Sequence, residues 1–490
     1  MTRHVVIPPL FDPSLEPLLD PTDEPLDLNR EFTSRITGAG HLRSLAAAYD
    51  LGQLDGNDPA GRRTKALFLR AAVAITARTD RHDAARLRAM GVAMRLSGEN
   101  DPALRLAADD VEIVDGTTER GADVVSAAAR TALFGAEADR ARDHAPGQRV
   151  HLLVETDQQL PAAAALMEVL GAERVVLCGR FVRAHRTALA ALHPFSAATG
   201  FDDWVPSWRL RKEWTTDGTP VHWVRRASDW RPGSVWAGWL EPDQAALLPT
   251  QAWRGCRGAA LTVARLKSWS AVTSADGTRT DLEPVVELAD EASLAVELLV
   301  GAPGVGADET RATAKRLASG PGPRLAGLSP FRLRAADCHD VPESWDGLPL
   351  TRAVTGHDLA RWDRFSAPDT LGETDRDAVL GALNAEFGAE TDLYPGRFAC
   401  CVLAHTAPAP VWEPSAVVVA DEGEGPDGQG PGSFVVNLRT GSAFRLHPRL
   451  APVVERLASG DATVLDRLSD TTRTKLSGQL VRAGVMRRAQ

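Results

Sequence analysis

Cysteine is scarce, with five residues in 490: Cys178, Cys256, Cys338, Cys400 and Cys401. An odd number without regular spacing excludes a disulfide framework and points to a reducing compartment, the cytoplasm. Long hydrophobic runs are missing too, and none reaches the ~18 residues that a membrane span needs. The opening MTRHVVIPPLFDP has one short apolar stretch broken by two prolines and no small-residue cleavage site, so no secretory signal is expected. The α/β unit around 149–205 lacks GxGxxG, and no GxxxxGKS/T occurs in the chain, which removes the dinucleotide and P-loop readings. The glycine-rich Gly301–Gly306 has no lysine to reach a phosphate. Cys400-Cys401 with His405 makes poor metal geometry, because adjacent strand residues face opposite ways. Cys338-His339 has no second pair nearby. No Ser/His/Asp set stands at motif spacing, although triads are not readable from sequence order alone.

What is there is an ordinary globular composition, 44% hydrophobic and 24% charged, in a chain too long for a single core. Net charge is −10, but it is unevenly spread. From Phe434 onward ten Lys/Arg stand against four acids, a net +6 that leaves −16 for the rest. A basic module on an acidic body suits a polyanionic or acidic-peptide partner; arginine-rich composition alone is the competing explanation.

The first 130 residues are Ala/Arg-rich with helical periodicity, interrupted by short extended pieces such as Val5-Val6-Ile7. Val150–Val154 then reads as a buried strand, Gln158–Leu170 as a helix, Val175–Gly179 as a second strand and Ala184–Leu192 as a second helix. That alternation predicts a parallel, Rossmann-like unit. Eight of the twelve tryptophans fall between 204 and 253, so this connecting segment must bury its rings, most simply between domains. Strand Leu294–Val300, a Gly301–Gly304 turn, helix Asp308–Leu317 and strand Leu325–Leu328 resume the α/β rhythm. After the acidic DEGEGPDGQGPG loop at 421–432, two strands and three helices predict a winged-helix-like module.

Arg254-Gly255 before Cys256 resembles the segment of radical SAM enzymes that precedes CxxxCxxC, the three-cysteine ligand set of a 4Fe–4S cluster. Here Ala260 and Val263 stand at the second and third positions. One thiolate and two aliphatic groups cannot hold a cubane. The stretch Leu294–Arg334 is similar to later barrel strands of that superfamily, with a turn of the G-x-P-G-E-T type. Gln158 to Ala162 and Val175 to Gly179 resemble the cobalamin-binding domain of members that mature ribosomally made peptides. The likeness covers roughly 149–335, and only about 30 residues separate Val263 from Leu294, so the barrel it implies is truncated as well as clusterless. Asp80-Arg81-His82 starts like a DxHxxG cobalamin-ligand motif, but Ala85 stands where glycine belongs and His82 reads as an exposed helix residue. The tail, FVVNLRTGSAFRLHPRLAPVVERLASG and two amphipathic helices, resembles the PqqD-like peptide-recognition module.

These resemblances imply an α/β chain in four parts. They are a Rossmann-like, cobalamin-binding-like domain with helical insertions (1–205), the Trp-rich connecting segment (206–253), a truncated radical-SAM-like partial barrel (254–390) and a PqqD-like module (396–490). They imply a cofactor pocket, if one is kept, at Gln158, Gln159, Gly179, Gly301, Pro303 and Gly304. By the same resemblance a leader peptide adds as a strand along Phe434, Val436 and Leu438, walled by Leu476, Leu480 and Arg482. The expected function is a non-catalytic adaptor in ribosomal-peptide maturation that binds a precursor (leader) peptide and assists an active radical SAM enzyme. No cluster, no metal and no catalytic residue are expected. The alternative is a clusterless enzyme of the methyl-transfer class that retains cobalamin or SAM. A nucleic-acid partner ranks third, because no recognition helix rich in Asn, Gln and Arg is evident. No membrane partner is expected.

Overall fold

Short, continuous apolar runs become buried parallel strands in the first half of the fold, as their β-branched content dictates. The computed structural model describes residues 2–54, 59–78, 83–107, 110–215, 218–288, 294–319, 322–334, 344–353, 356–387, 412–421 and 431–486. It is a mixed α/β structure whose contacts divide the chain into two units. Unit one joins 1–30 to 113–407, and unit two joins 31–112 to 408–490. Among the described residues no helix is long and apolar enough to cross a membrane.

Unit one begins with β1 (His4–Ile7), β2 (Leu15–Leu18), β3 (Glu24–Asp27), β4 (Val150–Leu153), β5 (Val175–Cys178) and β6 (Gly200–Phe201). Five of these form a parallel sheet in the order β3-β1-β4-β5-β6, which reverses its winding between β1 and β4. The helix Leu160–Leu170, with Pro161 in its first turn, buries Leu160, Leu166, Met167 and Leu170.

The second sheet takes β2 together with β7 (Ser207–Leu210), β8 (His222–Val224), β9 (Trp236–Leu240), β10 (Cys256–Val263), β11 (Leu294–Val300) and β12 (Arg324–Pro330). Its order is β12-β11-β10-β9-β8-β7-β2. Strands β8 to β12 run parallel, and β7 is antiparallel to both its neighbours. The tryptophan segment is therefore not a connector: it supplies β7, β8 and β9. Trp208, Trp223, Trp236 and Trp239 are buried on the faces of these strands, and Trp214 and Trp253 are buried on short helical segments.

Register divides those faces. Val224, Trp236, Leu240, Ala259, Leu261, Val263, Leu294, Val296, Leu298 and Val300 share one apolar cluster with helix residues Leu317, Leu383 and Phe387. The opposite face carries Trp208, Trp223, Trp239, Thr262 and Glu297, as the pairings Trp208 with Trp223, Trp223 with Ala237, Trp239 with Ala260 and Thr262 with Glu297 require.

Unit two is built on an antiparallel sheet of β13 (Ala416–Asp421), β14 (Gly432–Asn437) and β15 (Ser442–Arg445), with β14 in the middle. Alternation gives it two apolar faces. Val417, Val419, Phe434, Val436 and Leu438 pack with Leu42, Tyr49, Leu69, Ala72 and Leu96 from helices Ala39–Asp50, Pro59–Thr76 and Asp83–Gly98. Ala416, Val435 and Leu446 pack with Val454, Leu457, Leu476 and Leu480 from helices Ala451–Ala458 and Asp470–Arg482. Ion pairs fasten the early helices to the late sheet: Arg63 to Asp421 at 2.6 Å and Arg88 to Glu413 at 3.3 Å. The contacts thus divide the chain differently from the sequence-based boundaries at 205 and 396. The tail needs a cover for its second face, and residues 31–112 provide it.

Candidate functional site

The three positions expected to mark a lost cluster do not converge. Cys256, Ala260 and Val263 all lie on β10, an extended strand. At about 3.3 Å per residue the first and last are roughly 23 Å apart along it. The Cys256 thiol packs against the helix-side cluster, and burial pushes it up to about 12, so it is a protonated, inert group. The likeness of this segment to a cluster-binding loop rests on the tripeptide alone.

The expected cofactor positions are occupied by the protein itself. Parallel sheets of this kind take ligands at the carboxyl ends of the strands where the winding reverses. Here that point lies between Ile7-Pro8 and Val154-Glu155. The buried Gln159 side chain spans it: its Oε1 accepts from the Glu155 and Thr156 amides at 2.8 and 3.3 Å, and its Nε2 donates to the Pro8 carbonyl at 3.0 Å. Gln158 sits half-buried on the same turn. Beside it the buried Asp157 accepts from Thr118 Oγ1 at 2.6 Å and pairs with Arg361 at 2.9 Å. Gly179 follows β5 at φ +109°, where a Cβ would lie 2.4 Å from the Val154 carbonyl oxygen, so its lack of a side chain serves strand packing. In the turn after β11, Pro303 is buried. A Cβ on Gly301 would meet the Arg376 side chain at 2.7 Å, and one on Gly304 the Leu348 side chain at 2.5 Å. At these positions the side chains and glycines are engaged in the protein's own packing and hydrogen bonds.

The expected peptide-binding residues are core. Phe434 and Val436 belong to the middle strand, which has neighbours on both sides; Phe434, Val436, Leu438, Leu476 and Leu480 are all buried, and only Arg482 is exposed. The sheet has two edge strands, β13 and β15. Leu446 donates its amide to the Ser433 carbonyl at 2.8 Å, so the two-residue alternation turns Ser442 and Phe444 toward β14. Ala443 and Arg445 then direct their N–H and C=O outward, and among the described residues no strand pairs with them. Asp80, Arg81, His82, Cys338, His339, Cys400, Cys401 and His405 lie outside the described residues.

Sequence reading missed the buried Glu297 on β11. Its Oε1 accepts from Ser329 Oγ at 2.5 Å, and its Oε2 accepts from Thr262 Oγ1 at 3.1 Å and Trp239 Nε1 at 3.2 Å. The Trp239 N–H also donates to Thr262 Oγ1 at 2.8 Å. Among the described residues no Lys, Arg or His pairs with it, and burial raises its proton affinity above the ordinary glutamate range, opposed by the three hydrogen bonds. In sequence it is one polar letter inside an apolar strand, and the only signal was that interruption. No protein-family model matches the chain, and no curated protein or solved structure matches it.

Proposed function

We propose that this protein is a non-catalytic, peptide-binding partner in ribosomal-peptide maturation. Unit two captures an extended segment of a precursor peptide as a fourth strand on β15, on behalf of a catalytically competent radical SAM enzyme. The observation that carries the reading is the edge strand β15, where the Ala443 main-chain donor and acceptor point outward at the rim of a three-stranded sheet followed by three helical segments. That order of elements is the one a PqqD-like module has. The net positive charge of the tail favours an acidic segment.

Two features support descent from a cobalamin-type radical SAM protein. The first is the parallel order β3-β1-β4-β5-β6, the flavodoxin-like winding. The second is the run β9, β10, β11, β12, in which successive parallel strands lie side by side with helical segments between them. Loss of the catalytic parts is consistent with Gln159 filling the crevice and with the aliphatic residues on β10.

Strand addition is tested with Ala443→Pro. Proline there removes one outward N–H and leaves the β14–β15 ladder whole. With a fluorescently labelled acidic leader peptide, anisotropy should report affinity lowered about tenfold at unchanged circular dichroism. Full affinity in the folded variant would move the binding site away from β15.

A further inference from the structure

His4 opens β1, and the turn 144–148 leads into β4 beside it. The imidazoles of His4 and His144 stand edge to face, with ring centroids 5.9 Å apart. His4 Nε2 donates to Gln148 Oε1, and its Nδ1 lies 3.1 Å from Glu24 Oε2 on β3. Arg174, just ahead of β5, donates to the carbonyls of Ala145 and Gln148. The turn is thus tied on one side to β1 and on the other to the start of β5.

Those ties hold a backbone that is not at rest. Ala145 lies at φ +48°, in the left-handed region that a residue with a Cβ rarely adopts. Such a conformation persists only where its surroundings impose it. Here the Gln148 amide donates to the Ala145 carbonyl at 3.0 Å, and the same oxygen takes the Arg174 guanidinium.

His144 is the weak member of the arrangement. Its Nε2 is buried and has no hydrogen-bond partner among the described residues. A neutral ring can leave that nitrogen as a bare lone pair, but a charged ring places an N–H there with nothing to accept it. Charged and titratable groups face it from four elements: His4 on β1, Glu24 on β3, Arg140 on the helix Gly135–Arg142 and Arg174 ahead of β5. Only Glu24 favours the cation, and Glu24 stands against His4. Burial first, then these positive neighbours, hold the His144 ring below its ordinary value of 6.5. A ring released into water returns to that value, so release is favoured as pH falls below 6.5.

We propose that the turn 144–148 is an acid-opened latch at the amino ends of the parallel strands. Protonation of His144 carries its ring out to solvent, unseats Gln148 from His4 and lets Ala145 leave the left-handed region. The opening is local, because β1 and β4 pair through the register His4 to Val150, Val5 to His151 and Val6 to Leu152, which uses no residue of the turn. It lengthens the connection between helix Gly135–Arg142 and β4 and leaves the carboxyl ends of the strands as they are.

The test is hydrogen exchange of the full chain at pH 7.5 and pH 5.0, read by mass spectrometry and corrected for the intrinsic pH dependence of exchange. The amides of His144 and Gln148 donate to the Ala141 and Ala145 carbonyls. Their protection should fall about tenfold or more at the lower pH, with much smaller changes in β1 and β4. His144→Phe, which keeps an aromatic edge against His4 and cannot titrate, should retain the protection at both pH values. His144→Asn carries the same expectation should phenylalanine prevent folding. Arg174→Gln, which loosens the turn without touching the histidines, should be open at both. Unchanged protection in the natural chain would overturn the latch, as would acid opening that survives the loss of His144. An equal loss across β1 and β4 would overturn it too, since that is unfolding of the sheet. The readout lies in unit one, so none of these outcomes bears on strand addition at β15.

Discussion

A buried carboxyl and partly buried imidazoles respond to pH in opposite ways. Burial lowers the proton affinity of His144 and His151, so the folded state binds their protons less readily than the unfolded chain. Their contribution to stability is complete above the ordinary value of 6.5 and is lost as pH falls below it. Glu297 is raised, so its folded form holds the proton more tightly. Its sign is reversed: stability is lost as pH rises from the ordinary carboxylate range through the raised value. Glu297→Gln should remove the loss on the alkaline side, stabilising the protein by about 1–3 kcal/mol at pH 8 and by nothing at pH 4. Thermal unfolding followed across pH checks this; equal shifts at both pH values would mean that Glu297 is not a burial-strained acid.

Among elements, position within the sheet decides what a substitution does. Val436 lies on the central β14, so Val436→Pro removes a ladder hydrogen bond and a core side chain together and should cost about 3 kcal/mol or more. Ala443→Pro on the edge should cost much less, and comparing the two by urea denaturation checks the strand order. A folded Val436→Pro protein with near-native stability would contradict it. Along β10, restoring cysteines at Ala260 and Val263 should yield no cluster, because thiolates strung along one strand cannot reach a common cubane; iron analysis after anaerobic reconstitution is the measurement. The same elements show what was legible. Val175–Cys178 announces itself as an unbroken apolar run, and Val150–Leu153 and Leu294–Val300 as apolar runs interrupted only by His151 and Glu297. The strands of the tryptophan segment do not, because Ser207–Leu210 and His222–Val224 are too short for a period to register. Which of β14 and β15 forms the edge depends on β13, a partner strand that the sequence reading did not include.

At the scale of the whole chain, each unit is made of two separated stretches. Phe434, Val436 and Leu438 would face water if residues 408–490 were produced alone, since their cover comes from Leu42, Leu69 and Leu96. Such a fragment should bind hydrophobic dye and unfold without a cooperative transition, whereas 31–112 linked to 408–490 should unfold cooperatively. A cooperative transition from the short fragment would mean the early helices are dispensable. The Ala/Arg-rich helices could not be assigned to the tail from sequence, because amphipathic periodicity shows that a helix has a partner but not which one.

The split also orders events during synthesis. Ribosomes add about 5–20 residues per second. Residues 31–112 emerge roughly 300 residues ahead of 408–490, so three half-finished helices wait on the order of 15–60 s for the sheet that completes them. Until then their apolar faces are a substrate for chaperones. The edge of β15 comes into being only once residues 432–445 have been made, so a nascent chain that stops short of them lacks the strand to which we propose the peptide adds.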